Sequence, residues 1–300
     1  MKIFLTKAVI VFFLMFTAIA ISFAQDTAMV IDLKQGKAFF ETGSRKGQAV
    51  MLLDFPEPGS RIRLEANAVL VLNYFASGIR EEITGPGKFR IGKDFSKKLS
   101  GVKISKSETD YLPPEAMLKK EDVQQVGADV LRREEGEIAV FVPADMAFRS
   151  SSRISFRWQS VKGAENYVLR IYHMTEDTPC FETKVSEPRF VYGKPGLKAG
   201  GVYKWRVSAL ANGKDFEGED SFSILDKKTL NKVIRAEKKI RTECPDASDE
   251  MLTRLAMIYR FYDLNSDAAD MLRKLLRRHP QNQNIRRWLR MSDPGCAMNP

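Results

Sequence analysis

The side chains that could do chemistry in this chain are few and scattered. Its two histidines are His173, after the apolar run Tyr167–Ile171, and His279, before Pro280. No Asp or Glu stands at ligand spacing from either, so structural or solvated roles fit better than metal binding or acid–base work. Carboxylates cluster in Glu134-Glu135-x-Glu137 and Glu217-x-Glu219-Asp220. Neither run has the alternating oxygen ligands and glycine of a calcium loop. Nucleophile elbow, phosphate loop and dinucleotide fingerprint are missing. The expectation is a protein that is not an enzyme and uses no cofactor. What is left is a cluster of cations. Arg273, Lys274, Arg277 and Arg278 fall at i, i+1, i+4 and i+5 and would share one helix face; Arg286 and Arg287 follow, with Arg290 nearby. They form either an ordinary polar face opposite Leu272, Leu275 and Leu276 or a patch for an anionic partner.

The compartment narrows what that partner could be. Lys2 and Lys7 flank the start of an apolar run, Ala8–Ala20, and Ser22-Phe23-Ala24 puts small residues before Gln25. This is the layout of a secretory signal peptide cut after Ala24, which makes the protein periplasmic or secreted. If uncut, Ala8–Ala24 sits at the lower edge of the ~17–25 residues that span a bilayer, and only then is membrane attachment expected. The chain has 300 residues, with 48 Lys+Arg against 38 Asp+Glu and a net charge of +10. The excess lies mostly in residues 226–300, which hold 16 basic and 10 acidic side chains. In an exported protein such a balance points to an acidic protein, an anionic envelope polymer or lipid, and not to nucleic acid. Export also makes cysteine pairing relevant. Cys244 and Cys296 flank the last segment and are the preferred pair, although an up-down arrangement of helices would set them at opposite ends. Such a bond would contribute about 4 kcal/mol in the chain-entropy model. Cys180 would be left as a free thiol.

Hydrophobic content of 44% and charge of 29% are those of globular material. They exclude a disordered tail, a collagen-like repeat and a multi-span membrane protein. Three small domains and a linker are expected after the signal (1–24): a β-domain over 25–94, a partly helical linker over 95–137, a β-sandwich over 138–225 and a helical module over 226–300. In the first, apolar runs at Met29–Ile31, Ala49–Leu53, Ala68–Tyr74 and Phe89–Ile91 alternate with Gly, Pro and Asn turns, which suggests an all-β roll or sandwich. Ala68–Leu72 is apolar on both faces, so it should be a central strand. Ser and Lys fill 97–107, and Ala116–Glu135 could form one or two helices after Pro113-Pro114. Strict alternation in Ile154–Trp158 and Tyr203–Ala209 argues a two-sheet sandwich. From Leu230 onward the apolar period becomes helical.

Each module also resembles a known family. Gly36, Pro58-Gly59-Ser60-Arg61-Ile62, Ala68–Tyr74, Ser77-Gly78 and Gly85-Pro86-Gly87 resemble a FecR-like periplasmic domain. Trp158, Ala164-x-x-Tyr167 and Leu197 six residues before Tyr203 resemble a fibronectin type III domain, with Tyr203 as a tyrosine corner. Leu252, Ala256, Tyr259, Ala268 and Pro280 resemble a tetratricopeptide repeat. A single such unit cannot stand alone, so flanking helices near 227–243 and 283–291 should buttress it.

Modules of these kinds imply docking area and no reaction centre. The expected function is an exported envelope scaffold that binds another protein. A peptidoglycan- or polysaccharide-binding module is the first alternative and needs exposed aromatics, for which only Tyr74, Phe75 and Phe89 are at hand. A membrane-anchored FecR-type signalling regulator is the second. Such regulators carry a cytoplasmic segment before a membrane helix; here only Met1–Lys7 precedes the apolar run, and this role needs the N-terminal segment to stay in the membrane.

Overall fold

The computed structural model describes residues 28–108, 136–144, 146–150, 154–194 and 196–293. The signal segment, the segment 109–135 with its expected helices, and Cys296 lie outside the described residues. The fold is two small β-domains followed by four helices.

The first β-domain is two four-stranded sheets. One has the order β1 (Ala28–Gln35), β4 (Val69–Tyr74), β5 (Ile79–Thr84), β8 (Lys103–Glu108). The other has the order β2 (Ala38–Phe40), β3 (Arg61–Leu64), β6 (Gly87–Arg90), β7 (Lys97–Ser100). Gly36 turns β1 into β2 at φ +71°, and a Cβ there would stand 2.7 Å from the Ala68 backbone, so only glycine fits. Two expectations are corrected. The linker does not begin at residue 95, because Lys97–Ser100 and Lys103–Glu108 are edge strands of this domain. Edge strands with solvent on one side tolerate Lys and Ser at most positions, which hides them from an apolar count. Ala49–Leu53 is not a strand but a turn, with Leu53 at φ +63°.

The central position of β4 is as expected, and its two apolar faces have a specific cause. Leu70, Leu72 and Tyr74 pack with Ala28 and Val30 of β1 inside the sandwich. Val71, with Met29 and Ile31 of β1, faces the other way into a core shared with the helices. A bulge at Ile31, between the pairs Val30–Leu72 and Asp32–Val71, adjusts which side chains reach that second core.

The second β-domain pairs β14 (Arg189–Tyr192), β11 (Ile154–Trp158) and β9 (Val140–Val142) in one sheet. The facing sheet has the order β10 (Met146–Phe148), β16 (Lys214–Ile224), β15 (Val202–Ala211), β12 (Tyr167–His173), β13 (Pro179–Val185). This strand order is fibronectin III-like. Asn212-Gly213 closes the β15–β16 hairpin with both residues at positive φ, the geometry that such a dipeptide favours. Trp205 fills the centre, edge-on to Phe156 at 5.1 Å, and its indole N–H donates to the Pro143 carbonyl at 2.8 Å. The tyrosine corner is present: the Tyr203 hydroxyl accepts from the Lys198 amide at 2.6 Å.

The helices are α1 (Lys227–Glu243), α2 (Asp249–Phe261), α3 (Asn265–Arg278) and α4 (Gln283–Ser292). Asp226 caps α1 through the Lys228 and Thr229 amides, and Ser248 caps α2 through the Met251 amide. The helical period correctly gives Leu252, Leu255, Ala256, Tyr259, Ala268, Leu272 and Leu275 as core. It does not give the surroundings of α2. Every residue from Glu250 to Tyr259 is buried, including Thr253 and Arg254. The reason is that the helical core is not separate. It takes in Met29, Ile31, Leu52, Leu53, Val71 and Phe75 of the first β-domain, and Ala147 and Leu225 of the second. Phe55 stacks on Trp288 at 6.1 Å, and Asn282 and Asn284 each donate to the Leu52 carbonyl at 3.2 Å. The positive-φ turn at Leu53 is thus what carries two leucines off the sheet and into the helices.

Candidate functional site: a basic groove beside buried ion pairs

Polar bonds tie the helices to both β-domains. From β5, Arg80 grips Glu250 of α2 with two parallel bonds of 2.6 and 2.7 Å. Glu250 also accepts from Arg254 at 3.4 Å and lies 4.0 Å from the Lys34 ammonium. Arg254, itself buried, reaches on to Glu243 and to the Cys244 thiol at 3.1 Å. Burial alone would favour the neutral acid, but Arg80, Arg254 and Lys34 outweigh it and hold Glu250 below the usual carboxylate range. On the other side, Arg149 donates to Glu237 and Asp267 and lies 4.9 Å from the Tyr259 ring centre, while Arg157 of β11 donates to Asp293 at 2.8 Å. The Ala147 amide donates to the Asp263 carbonyl at 2.8 Å.

Asp32 sits at the edge of this network in a different state. Burial first, then the nearby Asp249 and Glu250, raise its pKa from 3.8 to about 6, against the pull of Lys34. A raised folded-state value means that the folded protein holds the proton more tightly than the unfolded chain. Asp32 therefore favours folding least once it has ionised in the unfolded state. Its cost grows as pH climbs from about 4 to about 6 and then levels off, at up to ~3 kcal/mol on the usual conversion. Asp32→Asn removes that titration. Urea unfolding of both proteins at about pH 4 and about pH 7 should show the variant gaining on the parent by ~1–3 kcal/mol over the interval. A constant difference would refute this assignment.

The other titratable candidates from the sequence have structural partners. His279 bonds to Asp249 and so ties the end of α3 to the start of α2, while the His173 ring lies 4.8 Å from that of Tyr203. Glu219 pairs with Arg206 at 2.9 Å, and Glu137 joins Glu217 by a backbone bridge. Glu134 and Glu135 lie outside the described residues. Cys244 is a buried thiol and Cys180 an exposed one; the expected partner Cys296 lies outside the described residues. Among the described residues no group of three His, Cys, Asp or Glu could hold a metal ion. Tyr74, Phe75 and Phe89 are all buried, so the glycan alternative loses its aromatic candidates.

The cation cluster is divided by the fold. Arg273 turns to Asp270 and Asp293, and Arg286 donates to the Pro280 carbonyl. Arg278 donates to Asp249 at 2.8 Å and to the Ala247 carbonyl. Lys274 and Arg277 are exposed and have no bonded partner among the described residues; Arg287 is likewise exposed on α4. Lys274, Arg277 and Arg278 come together with Arg241 of α1 around a groove of about 510 Å³. Its floor is apolar: Met251, Leu252 and Leu255 of α2 and Met271 of α3. Asp246 is the one carboxylate in the lining. Two helices end here, and helix C-termini carry partial negative charge that favours nearby cations. That explains why Arg241, Arg277 and Arg278 collect at this place. Sequence spacing found the α3 members but missed Arg241 and the methionines, because they approach only when α1 and α3 flank α2.

No family model matches the chain, and no curated protein matches it. Solved structures do. The fn3 domain of human collagen alpha-1(XX) is 17% identical, over 32% of this chain and 94% of that one, with a TM-score of 0.25. An Fn3-like protein from Clostridium thermocellum is 18% identical, over 29% and 92%, with a TM-score of 0.21. The FN1–FN3 domains of chicken CNTN1 are 14% identical, over 66% and 57%, with a TM-score of 0.21. These scores are too low to carry an argument. The fibronectin III-like architecture rests on the strand order and the Tyr203 corner.

Proposed function

We propose that this protein is an exported, non-catalytic scaffold of the cell envelope that holds another protein. In this reading the first β-domain is FecR-like and the helical unit tetratricopeptide-like, and the export signal is cut after Ala24. The observation that carries the reading is the coupling of the modules. One core and the Arg80–Glu250, Arg149–Glu237 and Arg157–Asp293 pairs join the helices to both β-domains. Modules joined in this way present their outer surfaces at defined spacing, which suits a protein that positions a partner. No helix of the described residues is long and apolar enough to cross a membrane. In vivo cross-linking with mass spectrometry tests the reading. A mature chain beginning at Gln25, linked to a defined envelope protein, is the expected result. A chain that keeps Met1 in the cytosol, or that links to cell-wall glycan alone, would contradict it.

A further inference from the structure

We infer that the groove between α1, α2 and α3 docks an acidic segment of the partner protein, one that carries apolar side chains between its carboxylates. The inference rests on the scaffold reading and gives it a surface. Four cations and one carboxylate line the groove; Arg278 is already paired with Asp249, while Lys274 and Arg277 have no bonded partner among the described residues. An acidic chain supplies the missing charge. The volume of about 510 Å³ falls within the ~300–1,000 Å³ of sites that enclose a ligand. The floor decides between a peptide and a bilayer. Met251, Leu252 and Leu255 are at most 5% exposed and close the bottom of the groove, so the apolar side chain open to a ligand is the half-buried Met271. A flat lipid surface would meet the cations around it, whereas single side chains of a peptide reach into the recess against Met271. The groove is also distinct from the surface that the first β-domain already occupies. Glu250 of α2 points to Arg80 of β5, while Met251, Leu252 and Leu255 line the groove.

The test is fluorescence anisotropy on the full mature chain with a labelled peptide, Glu-Leu-Asp-Glu-Leu-Asp-Glu. Its Lys-for-acid counterpart, its Ser-for-Leu counterpart and phosphatidylglycerol vesicles serve as competitors. The acidic peptide should bind, and affinity should fall as salt rises from ~50 to ~200 mM. The Lys274→Glu, Arg277→Glu double variant should weaken it at least about tenfold, and Met271→Gln several-fold. Both replaced cations are exposed and have no bonded partner among the described residues, so the double variant should unfold at the parent temperature. Equal binding of the Lys counterpart, undiminished binding to the double variant, or vesicles that displace the peptide while the Ser counterpart binds equally well would each overturn the inference. An envelope partner cross-linked in vivo, with no peptide binding here, would remove the groove and leave the scaffold reading standing. Peptide binding without any envelope partner would do the reverse.

Discussion

Glu250→Ala is expected to lower the unfolding free energy by about 3–5 kcal/mol, read from urea or guanidinium midpoints at constant slope. Glu250 is only 3% exposed and receives two bonds from Arg80 and one from Arg254. Removing it leaves two largely buried guanidinium groups facing each other across a vacated site. Their other partners, Glu82 for Arg80 and Glu243 for Arg254, soften the loss and favour the lower end of the range. Arg80→Met should cost less, because Glu250 keeps Arg254 and Lys34. That order of effects separates a shared network from a simple pair, for which the two variants would cost the same. A loss below ~1 kcal/mol for Glu250→Ala would place the interface in solvent-screened territory.

Ile31→Ala should cost about 2–5 kcal/mol, the usual range for a fully buried aliphatic side chain. Its distinguishing feature is where the loss is felt. Ile31 belongs to a strand of the first β-domain but packs in the helical core with Met29 and Val71. Helicity followed by circular dichroism should therefore be lost at lower denaturant, in step with the β-domain. If the modules were independent, the helical transition would not move.

Much of this fold is legible in the residues. Ala68–Leu72 is apolar on both faces, and its strand does have a core on each side. Alternation in Tyr203–Ala209 and the Leu197–Tyr203 spacing mark the second β-domain. The cap at Ser248 opens its helix where the residue type indicates. Contacts between modules are less visible. Leu52 and Leu53 look like strand residues and are instead inserted among helices, because a pattern of apolar residues reports burial but not the neighbour. The roles of Glu250 and Arg254 are set by β5, which brings Arg80 alongside them. Lys97–Ser100 and Lys103–Glu108 read as linker because edge strands need few apolar residues. For the groove, the cations of α3 could be read from their spacing, while its floor and Arg241 depend on how α1 docks.

Native-state hydrogen exchange on the parent and on Ile31→Ala tests the shared core most directly. The account predicts that amides of α2 and of β4 lose protection by the same free energy in the variant. Loss confined to β1 and β4, with α2 as protected as in the parent, would contradict it.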